Sequence, residues 1–552
     1  MDEIDGGRLA ARQLKASGID TIFTVAAGPM SQVLVGATQE GIRVVNCRHE
    51  VSAGNAASAY GWVQKKPGVV VVGSGPGMTN SITPLYVATE SAMPLVVLGG
   101  STGTGTGGLG DFQELDQVRA ASGVARWAGR VASVQQIPNM LHLALGKSVA
   151  GRPGGIYLDF PGHIVAQGID PSTISLRESQ PGVTTMMPDA QGVQRIAEML
   201  ATAQRPLLLI GKGAAWGDAS IPLQRLVSRG IPFVASPMGR GTVPDDDEMC
   251  MGAARNAAMR GADVVVAIGA RFNWMFGAGR AGTFQQSRPD GSRVRIAQID
   301  IEATEMWSAV DLEVGLIADC AVAVEQINLA LEGRTLKTSG TDWVPSLREQ
   351  VVKNEASLVE EMSSDEQPIN HYRLVADVRD CVDRDATITE DAELTMGVMR
   401  QVMPSYLGRY RFGAGTTGCM GTGFPYAVGA KLARPNQQVV AVLGDYAFGA
   451  AAMEVETCAR LGINVVVVVS NNAGINAHAS QARFPADAPP VYSMLPIDYE
   501  KMAEMVGGYS QRVTDPADIK PAVKRALAAN TVAVVNVITD PNASRGRRRE
   551  YL

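Results

Sequence analysis

The chain has 552 residues, 46% hydrophobic and 19% charged, a balance that fits a globular protein of three or four domains and excludes a disordered one. Its 49 basic and 55 acidic residues leave a net charge of −6, without the basic excess of a general nucleic-acid or membrane-surface binder. Sixty glycines, about 11% against roughly 7% typical, predict many tight turns, and Val and Ala rather than aromatics carry the apolar load. That mixture suits buried parallel sheets under closely packed helices. The opening MDEIDGGRLAARQL has no basic-then-apolar leader pattern, and no apolar run approaches the roughly 20 residues of a membrane span. The six cysteines, with no CxxC pair, predict neither a disulfide framework nor a thiolate zinc site. A cytoplasmic location is expected.

In chain order, short apolar runs at 42–46, 69–72 and 95–98 read as buried parallel strands, and the Ala-rich 51–64 as a helix. GRPGGIYLDFP (151–161) is a loop and strand closing the first unit, and 167–189 reads as a linker. Runs at 206–211, 231–236, 263–269 and 294–301 predict a second α/β unit, and polar 333–367, helical in part, a connection to a third. The third unit has strands at 386–391, 438–444, 464–470 and 532–539, followed by a basic tail, SRGRRREYL (544–552). Its strand, glycine turn, small-residue helix and strand echo 69–100, with the same 28-residue interval from Val69 to Val97 and from Val439 to Val467. Generic βαβ geometry or duplicated domains both account for this.

The motif that decides the class lies in the third unit. Gly444 and Asp445 follow one strand, Asn471 and Asn472 the next, and Gly474 comes close behind. Asp445 and Asn472 are 27 residues apart. A carboxylate and a carboxamide at adjacent strand ends converge at the carboxyl edge, where open α/β sheets bind ligands. With the Gly474 carbonyl they make a hard oxygen set for magnesium or calcium, and amides of a helix opening at 449–453 would face a diphosphate. A plain helix cap at Asp445 and a turn at Asn471 and Asn472 explain either piece alone, but not the spacing.

The full pattern resembles the thiamine diphosphate enzymes, with Tyr446 where that family usually has a second glycine. The resemblance implies three domains, each a mostly parallel sheet flanked by helices: a pyrimidine domain (1–166), a central domain (190–332) and a diphosphate domain (368–543), before the tail. It makes Glu50, in Arg48-His49-Glu50, the acid that bonds N1′ of the aminopyrimidine; a cap on the following helix is the plain alternative, and His49 reads as structural. GAGTTGCMGTG (413–423) would complete the cradle, with Met420 wedged under the bent cofactor and the Gly418 and Met420 carbonyls meeting its 4′-amino group. Gly444, Tyr446, Ala447 and Ile475 belong to the same expected binding set.

Within that family the chain is most similar to 2-hydroxyacyl-CoA lyases and oxalyl-CoA decarboxylases, through GKGAAW (211–216), GARFNWMFGAGR (269–280), QIDIEATEM (298–306) and GDYAFGAAAMEVETCARLGI (444–463). The likeness implies an ADP site with Arg152, Lys212, Arg271, Asp300 and Asp319, and CoA contacts from Arg400 and the tail arginines Arg545, Arg547, Arg548 and Arg549. A surface role for those charges, and a solvated tail, stay open. GDFQELDQ (110–117) carries Phe112 and Gln113 as the lyases do, where the decarboxylases have Tyr-Glu. Both relatives have Gly-Ile-Tyr after the paired asparagines; here Asn476, Ala477 and His478 follow Ile475. The lost aromatic implies room for a branched carbon, as in 2-hydroxyisobutyryl-CoA. Asn476 and His478 are candidate catalytic residues, with His478 either the acceptor of the hydroxyl proton or a loop histidine. The expected enzyme is a lyase releasing formyl-CoA and an aldehyde or ketone, a homodimer at least and typically a homotetramer. Oxalyl-CoA decarboxylation, an FAD-containing synthase and a binding homologue without turnover remain the rivals, the last disfavoured by intact Glu50, Asp445 and Asn472.

Overall fold

A computed structural model describes residues 3–179, 185–279, 293–308, 310–475 and 480–543. Asn476, His478 and the tail arginines lie outside the described residues. Val-rich runs with no polar alternation cannot leave a face in water, so they form parallel strands covered on both sides. In the first sheet the spatial order is Arg43–Asn46, Thr21–Thr24, Gly68–Val72, Leu95–Ser101, Gly155–Pro161 and Trp127–Arg130. In the third it is Arg411–Phe412, Thr387–Asp391, Val439–Gly444, Val466–Asn471, Ala533–Ile538 and Tyr509–Val513. Counted in chain order within each sheet, both read 2-1-3-4-6-5, and every pair is parallel. The repeated 28-residue interval therefore spans the same third and fourth strands in both sheets. The shared order favours duplication over generic βαβ geometry.

The central sheet runs Phe233–Ala235, Pro206–Ile210, Val264–Ile268, Arg295–Asp300 and Val314–Ile317, also fully parallel. One connecting stretch differs from the sequence reading, and another shows where its expected helical part lies. Gly168–Ile169, in the expected linker, pairs antiparallel with Ile4–Asp5 and ties the end of the first unit to its start. The polar stretch before the third unit holds helix Trp343–Ala356. Trp343, Leu347 and Val351, one turn apart each, bury against the central sheet, and the Trp343 indole donates to the Pro206 carbonyl at 2.9 Å.

Helix Glu50–Gln64 of the first unit packs along helix Gly423–Ala433 of the third. Small residues permit the approach: a Cβ at Gly429 would stand 2.0 Å from the Ala56 carbonyl oxygen. Ala56, Ala57, Tyr426 and Ala427 then share one continuous apolar core. Trp62, at the far end of the same helix, stacks on Trp216 of the central unit at 5.1 Å and 19°. The helix that begins with Glu50 is thus held by all three units. No helix among the described residues is long and apolar enough to cross a membrane.

Candidate active site

Strand register explains the site. Gly444 pairs with Ser470 in the parallel third sheet, so Asp445 and Asn472 leave the same edge side by side. They line a cavity of about 370 Å³ together with Gly418, Met420, Gly444, Tyr446, Gly474 and Ile475. Asp445 is 2% exposed and Asn472 6%. The Asp445 carboxylate accepts the Tyr446 N–H through Oδ1 and the Gly474 N–H through Oδ2, both at 2.8 Å. Burial pushes its pKa up to about 6, against the pull of these bonds. Gly474 has φ +141°, and a Cβ there would meet the Tyr492 carbonyl oxygen at 2.0 Å. A buried carboxylate beside a buried carboxamide and a backbone closed to side chains fits a hard divalent cation. Asn471 shapes the turn instead. Its amide donates to the Ile497 carbonyl and to Asn536, and its Oδ1 accepts the Ala473 N–H.

The 413–423 loop is anchored by Asp391, at the end of its own strand. Its Oδ2 accepts the N–H groups of Thr422 and Gly423 at 2.8 and 2.9 Å. Gly418 has φ +61°, and Met420 is 41% exposed into the cavity. The Met420 carbonyl accepts the Cys419 thiol at 3.6 Å. Ala447 is buried in the short helix Asp445–Gly449. One expectation needs correcting. No helix opens over 449–453: the next one begins at Glu454, and the N–H groups of Ala450 and Ala451 bond back to Tyr446 and Phe448. Those two amides are consumed by turns.

Glu50 is the first residue of its helix, and the cap is His49, whose Nδ1 accepts the Val51 N–H at 3.1 Å. Glu50 Oε2 instead accepts the Asn80 amide at 2.9 Å. Glu50 is not in the wall of its own chain's diphosphate-edge cavity. Phe112 is 77% exposed, and Gln113 Oε1 accepts the Ser74 hydroxyl at 2.8 Å. That bond occupies the Gln113 carbonyl oxygen.

Three family models cover the chain in order: the thiamine pyrophosphate enzyme N-terminal TPP binding domain over residues 4–120, the central domain over 193–327 and the C-terminal TPP binding domain over 394–537. The chain belongs to the thiamine pyrophosphate enzymes. It is 32% identical to human 2-hydroxyacyl-CoA lyase 1, covering 99% of this chain and 96% of that protein. It is 33% identical to oxalyl-CoA decarboxylase of Escherichia coli K12 (98% and 95%) and 34% identical to an acetolactate synthase large subunit of Mycobacterium tuberculosis (98% and 97%). Identity this even separates none of the three chemistries, so the distinction within the family rests on pockets.

Two further pockets mark this thiamine pyrophosphate enzyme. One, between the first and central units, is lined by Arg152, Lys212, Arg271, Asp300, Asp319, Trp62 and Trp216. Lys212 lies 4.1 Å above the Trp62 ring. Burial, then Arg152 and Arg271, hold its pKa well below the ordinary lysine range. Arg271 pairs with Glu305 at 3.2 Å, and Asp319 caps helix Cys320–Ala330 through the Ala321 N–H. Burial pushes Asp300 up to about 6. Clustered cations that lower one another's charge affinity suit an anionic ligand.

The other, of about 760 Å³, lies between the central and third units and contains Arg240, Arg255, Arg348, Arg379 and Arg400. Arg400 also lines the diphosphate-edge cavity, so it stands where the two meet. Arg255 was not foreseen, since an isolated arginine in GAARNAAM carries no pattern. It is buried and stacks on Phe276, and burial with Arg400 nearby lowers it to about 10. Asn80 was also missed. Its signal lay in GPGMTN, where the helix after the glycine turn brings position 80 over the start of the Glu50 helix.

Proposed function

We propose that this enzyme is a carbon–carbon lyase that cleaves 2-hydroxyacyl-CoA to formyl-CoA and an aldehyde or ketone, reversibly. The observation that carries this is the arginine-lined cavity joined at Arg400 to the diphosphate-edge cavity. A phosphate-rich CoA needs such a chamber beside the reacting centre, and a small 2-oxo acid does not. Gln113 favours a hydroxyacyl substrate over oxalyl-CoA, because a neutral amide donor suits a hydroxyl or thioester oxygen.

Asp445, Asn472 and the Gly474 carbonyl would hold Mg2+ on the cofactor's diphosphate. Met420 would pack against the cofactor, with the Gly418 and Met420 carbonyls beside it. When bound, thiamine diphosphate supplies the electron sink for the bond that breaks. Glu50 holds the proton at N1′, with Asn80 fixing its carboxylate. Gln113 orients the substrate oxygen, and Phe112 covers it. Arg255 and Arg400 bind CoA phosphates, with Arg545 and Arg547 adding charge for the same phosphates. His478 takes the 2-hydroxyl proton as the carbonyl product leaves, and returns that proton so that the electron pair of the broken bond ends as the formyl C–H. Position 476, Asn rather than Tyr, gives room for a branched carbon such as that of 2-hydroxyisobutyryl-CoA. Asn476→Tyr is expected to lower kcat/KM for the branched substrate about tenfold more than for a linear one. Equal losses on both substrates would refute the steric account.

Glu50 stands outside its own chain's cavity, which supports a homodimer in which each Glu50 serves the other chain's cofactor, and a homotetramer built from two such pairs. We assign the Arg152, Lys212 and Arg271 pocket to ADP, with Asp300 and Asp319 on the ribose side. ADP is expected to quench the fluorescence of Trp62 and Trp216. A purified protein with a flavin absorbance band and no response to ADP would point to the FAD-containing synthase instead.

A further inference from the structure

We propose that Glu454 is a positioning residue that holds the turn carrying Glu50 and links it to the third-unit helix Glu454–Leu461. The proposal rests on the reading of Glu50 as the cofactor's acid. Glu454 opens helix Glu454–Leu461, nine residues after Asp445, yet its carboxylate serves the first unit. It is 2% exposed. Its two oxygens accept the Arg48 N–H at 3.1 and 3.3 Å, and Oε2 accepts the Thr457 hydroxyl at 2.7 Å. From the same helix, Arg460 donates to the Asn46 carbonyl at 2.6 Å. One helix of the third unit thus grips both ends of the Asn46–Arg48 stretch that delivers Glu50.

The residue type is informative. A buried carboxylate costs more to desolvate than a neutral or apolar side chain of the same size, so stability alone does not call for it. A backbone N–H and a hydroxyl point at it as donors, and a charged acceptor binds such donors more tightly than an amide does. A glutamine here would turn its NH2 toward one of them. The acid that needs accurate placement is two residues beyond the gripped Arg48 N–H. A displacement of about 1 Å at such a group costs roughly a hundredfold in rate.

The test compares Glu454→Gln, Thr457→Val and Glu50→Gln in the full-length protein with Mg2+ and thiamine diphosphate. The readouts are exchange of the cofactor's C2 proton for deuterium, cofactor affinity by calorimetry, and amide exchange over residues 46–52 with and without cofactor. In wild-type protein, loading is expected to protect 46–52. In Glu454→Gln that added protection is lost and C2 exchange slows about tenfold or more, while cofactor affinity changes less than about threefold. Thr457→Val, which removes one anchor, is expected to move C2 exchange the same way by about threefold. If Glu454→Gln does not fold, Thr457→Val decides alone. C2 exchange unchanged in the folded Glu454 or Thr457 variants, while Glu50→Gln slows it, overturns the positioning role and leaves Glu50 standing. Unchanged exchange in Glu50→Gln removes the Glu50 reading and this inference with it.

Discussion

Glu50→Gln is expected to lower turnover by about a hundredfold to ten-thousandfold, the range a positioned acid–base group contributes. The substitution is nearly isosteric. The glutamine carbonyl still accepts the Asn80 amide, and the helix keeps its cap at His49 Nδ1. The thermal midpoint should therefore stay close to wild type, and only proton exchange at the cofactor is removed. Asn80→Ala keeps the carboxyl but frees it, so its loss should be smaller than that of Glu50→Gln. Steady-state kinetics beside a melting curve separates these outcomes. A Glu50→Gln enzyme of near-normal kcat would remove the assignment.

Asp445→Asn is expected to weaken Mg2+-dependent cofactor binding by about a hundredfold or more, since it removes the only carboxylate of the proposed oxygen set and breaks a buried charged contact. The pH dependence follows from burial. Asp445 has a folded pKa raised to about 6 from an ordinary 3.8. In metal-free protein its contribution to stability is present below 3.8 and lost as pH rises through about 6. The cation binds the ionised form, so Mg2+ affinity should rise about tenfold per pH unit up to about 6 and level off above it. Calorimetric titration at several pH values tests the sign. A flat profile between about pH 5 and 7 would show that Asp445 does not ligate the metal. Mixing Glu50→Gln with Asp445→Asn protein adds a test of the shared site. If each chain's Glu50 serves the other, mixed dimers hold one intact site, and about a quarter of wild-type activity should return.

Much of the fold was legible because period and composition act locally. Unbroken runs such as 439–444 and 466–470 have no polar face to expose, so parallel, doubly covered strands were the available solution. The spacing of Asp445 and Asn472 was readable for the same reason: one crossover helix separates strands in a fixed register. Helix Trp343–Ala356 was harder to read. Its three buried residues are surrounded by charge, and only tertiary contact turns that stripe toward the central sheet. The amides of Ala450 and Ala451 escape a local reading because turn bonds to Tyr446 and Phe448 depend on where the helix breaks. Asn80, Arg255 and Glu454 act across about 20 residues or more, or between units, and no local pattern separates a buried partner from surface polarity.

Carbon–carbon cleavage of a 2-hydroxyacyl thioester is tested most directly by product mass spectrometry on matched substrates. Incubated with thiamine diphosphate and Mg2+, the enzyme should convert 2-hydroxyisobutyryl-CoA to acetone and formyl-CoA, and a linear 2-hydroxyacyl-CoA to the aldehyde and formyl-CoA. Carbon dioxide release from oxalyl-CoA with no cleavage of either hydroxyacyl thioester, or acetolactate formed from pyruvate, would contradict it.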